Sequence, residues 1–262
     1  MENIEGGGFQ PQAMAPQEAP QMSEAATLAS IFFEPGKVFE DLRRKPRFIM
    51  ASVIIAILFT GYAFGLNYKF GDAGMRSFMS EQFDKNPRTQ GMTAEQKSNA
   101  IDLQMKIGNI VRYVLPIIVL IFLAIGGLIY WLGSKAFGGT GGFFHGLAVW
   151  VYSSLPPTVV GMLANYLVLA LKSADDIDIA ASQRTVLHAN LGFLVDGKAM
   201  PVIGTLLSTF DIFFIWGWIL AAIGLRITNR LSSSSASTLT IIIALIGITF
   251  RVIGALFSGN VN

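Results

Sequence analysis

Two ionisable residues lie deep inside apolar runs of this chain, Asp211 within 202–226 and Arg251 within 237–257. An acid and a base so placed can relay a proton, hold an ion or ligand, or neutralise each other. Counted from the turn 227–236, Asp211 is 15 residues up one run (226 − 211) and Arg251 is 14 up the other (251 − 237). At about 1.5 Å per residue each lies roughly 21–23 Å from the turn, so antiparallel helices would bring both to one level. A lone charge near mid-bilayer costs about 2.5–3.5 kcal/mol on insertion scales, so each needs a partner. The plainest reading is a buried pair that fixes helix register, because one pair with no other ionisable residue nearby makes a poor relay. Asn165, in the outer half of a third apolar run, could join it.

Other chemistry is sparse. The chain has no cysteine, which excludes disulfides and thiolate metal sites. Neither His145 nor His188 has a Gly-x-Ser-x-Gly element or an acidic metal partner. Asp175, Asp176, Asp178 and Asp196 are scattered through one loop, as solvated acids usually are. No catalytic residue, cofactor, metal or nucleic-acid partner is therefore expected.

The residues are 52% hydrophobic and 14% charged, the composition of a polytopic membrane protein. Five apolar runs, 48–66, 110–132, 143–171, 202–226 and 237–257, each approach or exceed the roughly 20 residues of a spanning helix. The expected fold is all-α, an integral membrane five-helix transmembrane bundle over 48–258. The third run is too long for one straight span. Pro156 and Pro157 mark a kink or break there, since they cannot donate to the carbonyls of Tyr152 and Ser153. Small or polar residues at Ser237, Thr240, Ala244, Gly247, Arg251 and Gly254 follow a spacing of three and four, one helix face suited to close packing. Gly61 and Gly65 offer a shorter face of the same kind.

The first 27 residues are polar and lack the apolar core of a cleavable signal, so 48–66 would act as an uncleaved anchor. Residues 1–22 read as a disordered cytoplasmic tail, and 23–47 as short amphipathic juxtamembrane helices lying on the membrane face. Ser23 can cap the first helix, Pro35 can begin the second and Pro46 the first span. The connection 67–109 reads as two helical pieces broken near Asn86 and Pro87, with a Thr93–Gln96 capping box opening the second. Lys37, Arg43, Arg44, Lys45 and Arg47 crowd the approach to the first span, which places the N-terminus in the cytoplasm and, after five spans, the C-terminus outside.

Three stretches in this order resemble the YIP1 family of multi-pass membrane proteins: IFFEPGKVFEDLRRKPRF, then GGFFHGLAVWVYSSLPPTVVG, then LLSTFDIFFIWGWILAAIGL. In the second, Tyr152 and Pro156 match the family's Tyr-x-x-x-Pro. In the third, an acid, a Trp and small residues follow the family's fourth-span pattern. The resemblance covers about 31–257. It implies five spans, a cytosolic N-terminus and no known catalysis, with eukaryotic members acting in vesicle trafficking and contacting Rab-type small GTPases. This chain lacks the Asp-Leu-Tyr-Gly-Pro element of some eukaryotic members, which argues against small-GTPase binding. Its short Pro/Gln tail and compact loops look bacterial, so the bacterial cytoplasmic membrane is the expected location. The expected function is a non-enzymatic protein that organises membrane or partner proteins, its partners being the bilayer and another membrane protein or a second copy. The alternative is a small transporter or channel with a polar site around Asp211, Arg251 and Asn165.

Overall fold

Ser23 opens the first helix, its hydroxyl accepting from the Ala26 amide at 3.1 Å. This is α1 (Glu24–Ser30), and Pro35 begins α2 (Pro35–Arg44). The computed structural model describes residues 19–86, 89, 91–177, 179, 190–195 and 200–258. Among them the fold is all-α, with no strand beyond an isolated antiparallel bridge between Asn190 and Asp211. Most of the expected tail, 1–18, lies outside the described residues, as do Pro87, Asp178, His188 and Asp196.

Two long helices follow, α3 (Ile49–Lys85) and α4 (Ala94–Ala136), of 37 and 43 residues. At about 1.5 Å per residue they measure roughly 55 and 65 Å, well beyond a hydrocarbon core of about 30 Å. Their distal parts pair as an arm. Ion pairs Arg76–Asp102 and Lys97–Asp84, the latter at 2.7 Å, join the two helices. The Thr93–Gln96 capping box is present in both directions, at 3.2 and 2.8 Å. Gly71, at φ 63° and ψ 174°, interrupts α3 where the arm begins, a conformation only glycine adopts without strain. Pro46 does not open α3: the helix starts three residues later, because Arg47 and Phe48 stay extended or irregular to make contacts of their own.

Helix α5 (Phe143–Leu171) runs through Pro156 and Pro157 without leaving helical geometry, so of the kink or break expected at the prolines a break is absent. The break falls instead in the fourth apolar run, which divides into α6 (Pro201–Ser208) and α7 (Ile212–Thr228). Two hydroxyls end α6, Ser208 and Thr209 both donating to the Thr205 carbonyl, at 2.8 and 3.1 Å. Such back-bonding weakens the helix ladder. The last helix is α8 (Ser233–Ser258). Four helices, α3, α4, α5 and α8, are long and apolar enough to cross a membrane, while α7 has 17 residues and falls short. The five-helix bundle expected from the sequence is thus four long helices and one broken run.

The near end of the bundle is where α3, α5 and α8 start and α4 and α7 finish. Glycine lets α4 and α5 touch: a Cβ on Gly127 would lie 2.7 Å from the Leu147 Cα, and one on Gly146 2.7 Å from the Trp131 nitrogen. Gly61 makes room for Tyr166, whose hydroxyl donates to the Leu58 carbonyl at 2.8 Å. The α8 seam is only partly used, since a Cβ on Gly247 would meet nothing within 4 Å.

Candidate functional site

The N-terminal hairpin α1–α2 is built into the near end, with its apolar side turned into the bundle. Ile31, Val38, Phe39 and Leu42 are fully buried in the same core as Ile55, Leu123, Val149, Tyr152 and Leu225. The Phe39 ring occupies the notch left by Gly224, where a Cβ would come within 2.8 Å of it. Thr228 donates to the Phe39 carbonyl at 3.2 Å. His145 accepts from the Gly142 amide at Nδ1, which leaves the proton on Nε2 to donate to the Arg43 carbonyl at 3.1 Å.

A buried clasp closes this arrangement. Asp41, 3% exposed, pairs with Arg47 and accepts from the amides of Gln21 and Met22 at 2.6 and 3.1 Å. Arg47 also donates to the Met22 carbonyl and the Thr27 hydroxyl, both at 2.8 Å. Gln21 and Met22, assigned to the disordered tail from sequence, are therefore fixed. Neither Asp41 nor Arg47 stood out from the sequence, because a charge in a basic juxtamembrane stretch looks solvated. The available signal was Asp41 itself, an acid on the apolar side of α2 beside Val38 and Leu42.

Tyr152 is fully buried next to this clasp, within electrostatic reach of Arg47, Glu24 and Asp41. Pro157 follows on the face toward α7, where Gly217 approaches: a Cβ there would lie 3.5 Å from the Ser153 carbonyl oxygen and 3.7 Å from Pro157. The contact with α7 is thus made by Ser153 and Pro157, next in the chain to the Tyr152 and Pro156 of the family-like pattern.

The other predicted residues gather at the helix break without the expected ion pair. The Asp211 carboxylate accepts from the Phe213 amide at 2.8 Å and so caps α7. Arg251 donates to the Ser208 hydroxyl at 3.3 Å and stacks over the Phe214 ring, 5.1 Å from its centroid. Among the described residues, no ion pair or hydrogen bond joins Asp211 to Arg251 or to Asn165. Asn165, buried in α5, donates back to the Gly161 carbonyl at 2.7 Å. The equal-depth count assumed one continuous helix, and the break at 209–211 removes that assumption. Asp211 is an acid at the start of a helix, favoured by the unpaired amides and positive dipole end there.

Comparison with known proteins adds the following. The family model described as Yip1 domain matches residues 29–254, from α1 to near the end of α8. The chain is similar to a curated relative, Membrane protein YknW of Bacillus subtilis (strain 168), at 28% identity over 247 residues, which is 92% of this chain and 93% of the relative. No solved structure matches.

Proposed function

Since this chain belongs to the Yip1 domain family, we propose that it is a non-enzymatic integral membrane protein that organises its membrane or a partner membrane protein. One observation carries this reading: the near-end part of the bundle is filled. Tyr152, Phe39, Ile55, Leu155 and Leu123 pack there with almost no exposure, in place of a polar path. Two concavities among the described residues lie at the edges, one between the arm helices at Asp72, Arg76 and Asp102, and one beside the hairpin at Gln21, Lys37 and Arg44. Arg43, Arg44, Lys45, Lys135, Arg226 and Arg230 share the near end, which supports a cytoplasmic near end. On this reading α6 and α7 together complete a fifth crossing, and the chain finishes outside. The partner is another membrane protein or a second copy, and small GTPases are not among the partners proposed.

The test is cross-linking in native membranes, then isolation of the full chain in mild detergent. A defined membrane-protein partner or a second copy is expected. A lone monomer that moves a solute across vesicle membranes, with the flux abolished by Asp211→Asn, would replace this reading with transport. The broken helix favours that second reading, because discontinuous helices with charged residues at the break are a common transporter device.

A further inference from the structure

We propose that the tip of the N-terminal hairpin is a lipid wedge, with Phe33 entering the acyl region of the near-end leaflet while the rest of the hairpin stays sealed against protein. The apolar face of α2 is already used on α5 and α7, so it is not what meets lipid. Phe33 is left over, 87% exposed at the turn between α1 and α2. The turn is rigid. The amides of Phe33 and Glu34 both donate to the Ser30 carbonyl, at 3.1 and 2.7 Å. Neighbouring Phe32 sits edge-on against Trp216 of α7, with ring centroids 6.4 Å apart.

Helix contacts give the depth of this turn. Gly217, next to Trp216, lies beside Pro157 of α5. Pro157 is 12 residues before Leu169 (169 − 157), and Leu169 meets Gly65 of α3. Since α3 and α5 run in the same direction, counting back 12 from Gly65 (65 − 12) reaches Val53. Val53 and Ile57 are both exposed apolar residues inside the first span. The tip is therefore level with a point about 6 Å inward from Ile49. Ile215 and Ile219 of α7 flank Trp216 and are exposed as well, so Phe33 continues the lipid-facing belt. The outer flank stays polar, with an ion pair between Glu34 and Lys37 at 2.6 Å and Glu40 exposed. Lys37 can extend toward the headgroups while its stem lies along the apolar boundary. One aromatic beside an ion pair offers far less than the roughly 1,000 Å² of a stable protein interface, which is why the occupant is lipid.

The chain has no cysteine, so single cysteines can be labelled cleanly. Phe33→Cys replaces a side chain that is almost wholly exposed and leaves the core intact. It would be compared with Ile57→Cys as the lipid reference and Glu40→Cys as the water reference. Each full-length variant carries a bimane label in vesicles of phosphatidylethanolamine and phosphatidylglycerol. The quenchers are a lipid bearing a nitroxide near the top of its acyl chain, and aqueous iodide. The label at 33 should be quenched by the lipid nitroxide as strongly as that at 57, and several-fold less by iodide than that at 40. Iodide quenching at 33 equal to that at 40 overturns the proposal. Shielding from both quenchers also overturns it, because that result means a protein covers the tip.

Discussion

Removing the Asp41 carboxylate would leave the Arg47 guanidinium and the amides of Gln21 and Met22 without their acceptor in a buried setting. Loss of one member of a buried pair costs about 3–5 kcal/mol. Asp41→Ala and Arg47→Ala should each lower thermal stability in detergent by that order. The double variant should lose markedly less than the sum, because the two groups meet. Asp211→Ala should behave differently. It removes a helix cap worth about 1 kcal/mol, and its effect should add to that of Arg251→Ala; a strong coupling energy would mean that the pair forms after all. Asp211 was legible from the sequence as a charge needing a partner, but its role was not. Depth counting treats a run of apolar residues as one helix, whereas Ser208, Thr209 and Asp211 carry the signature of a stop followed by a cap. Arg47 was legible only as topology, since its partners lie on a segment folded back over it.

Elements pack here by backbone approach, and the cost of filling a gap depends on what stands opposite. Gly127→Ala would press a methyl into the Leu147 backbone, which cannot turn aside, and should cost about 1–3 kcal/mol. Gly247→Ala meets open space and should leave the melting temperature unchanged or slightly raised. Melting curves of the two variants in one detergent test this contrast. The sequence announced α5 to the residue, the break after Lys85 and the capping box that opens α4, because caps, prolines and apolar length are local signals. It misplaced the interruption of the membrane helices. Two prolines in α5 are tolerated because Gly217 lets α7 close over the freed Ser153 carbonyl, a tertiary contact absent from any local pattern. The spacing of small residues on α8 suits close packing, yet spacing alone does not say how far a neighbour extends.

On the scale of the whole molecule, α6 and α7 have to act together to carry the chain across the bilayer. Helix α7 alone measures about 26 Å, short of a hydrocarbon core of about 30 Å. Reporter fusions at the two termini should report opposite sides, with the N-terminus in the cytoplasm. Termini on one side would mean that the broken run turns back. The carbonyl of Phe39 is bonded to a hydroxyl 189 residues further along the chain, on the helix that also supplies the notch at Gly224. A ribosome working at about 5–20 residues per second takes roughly 10–40 s to make that stretch. During that interval the α7 surface that receives Phe39 does not yet exist. Helices α1 and α2 thus stay without this part of their packing until α7 has been made.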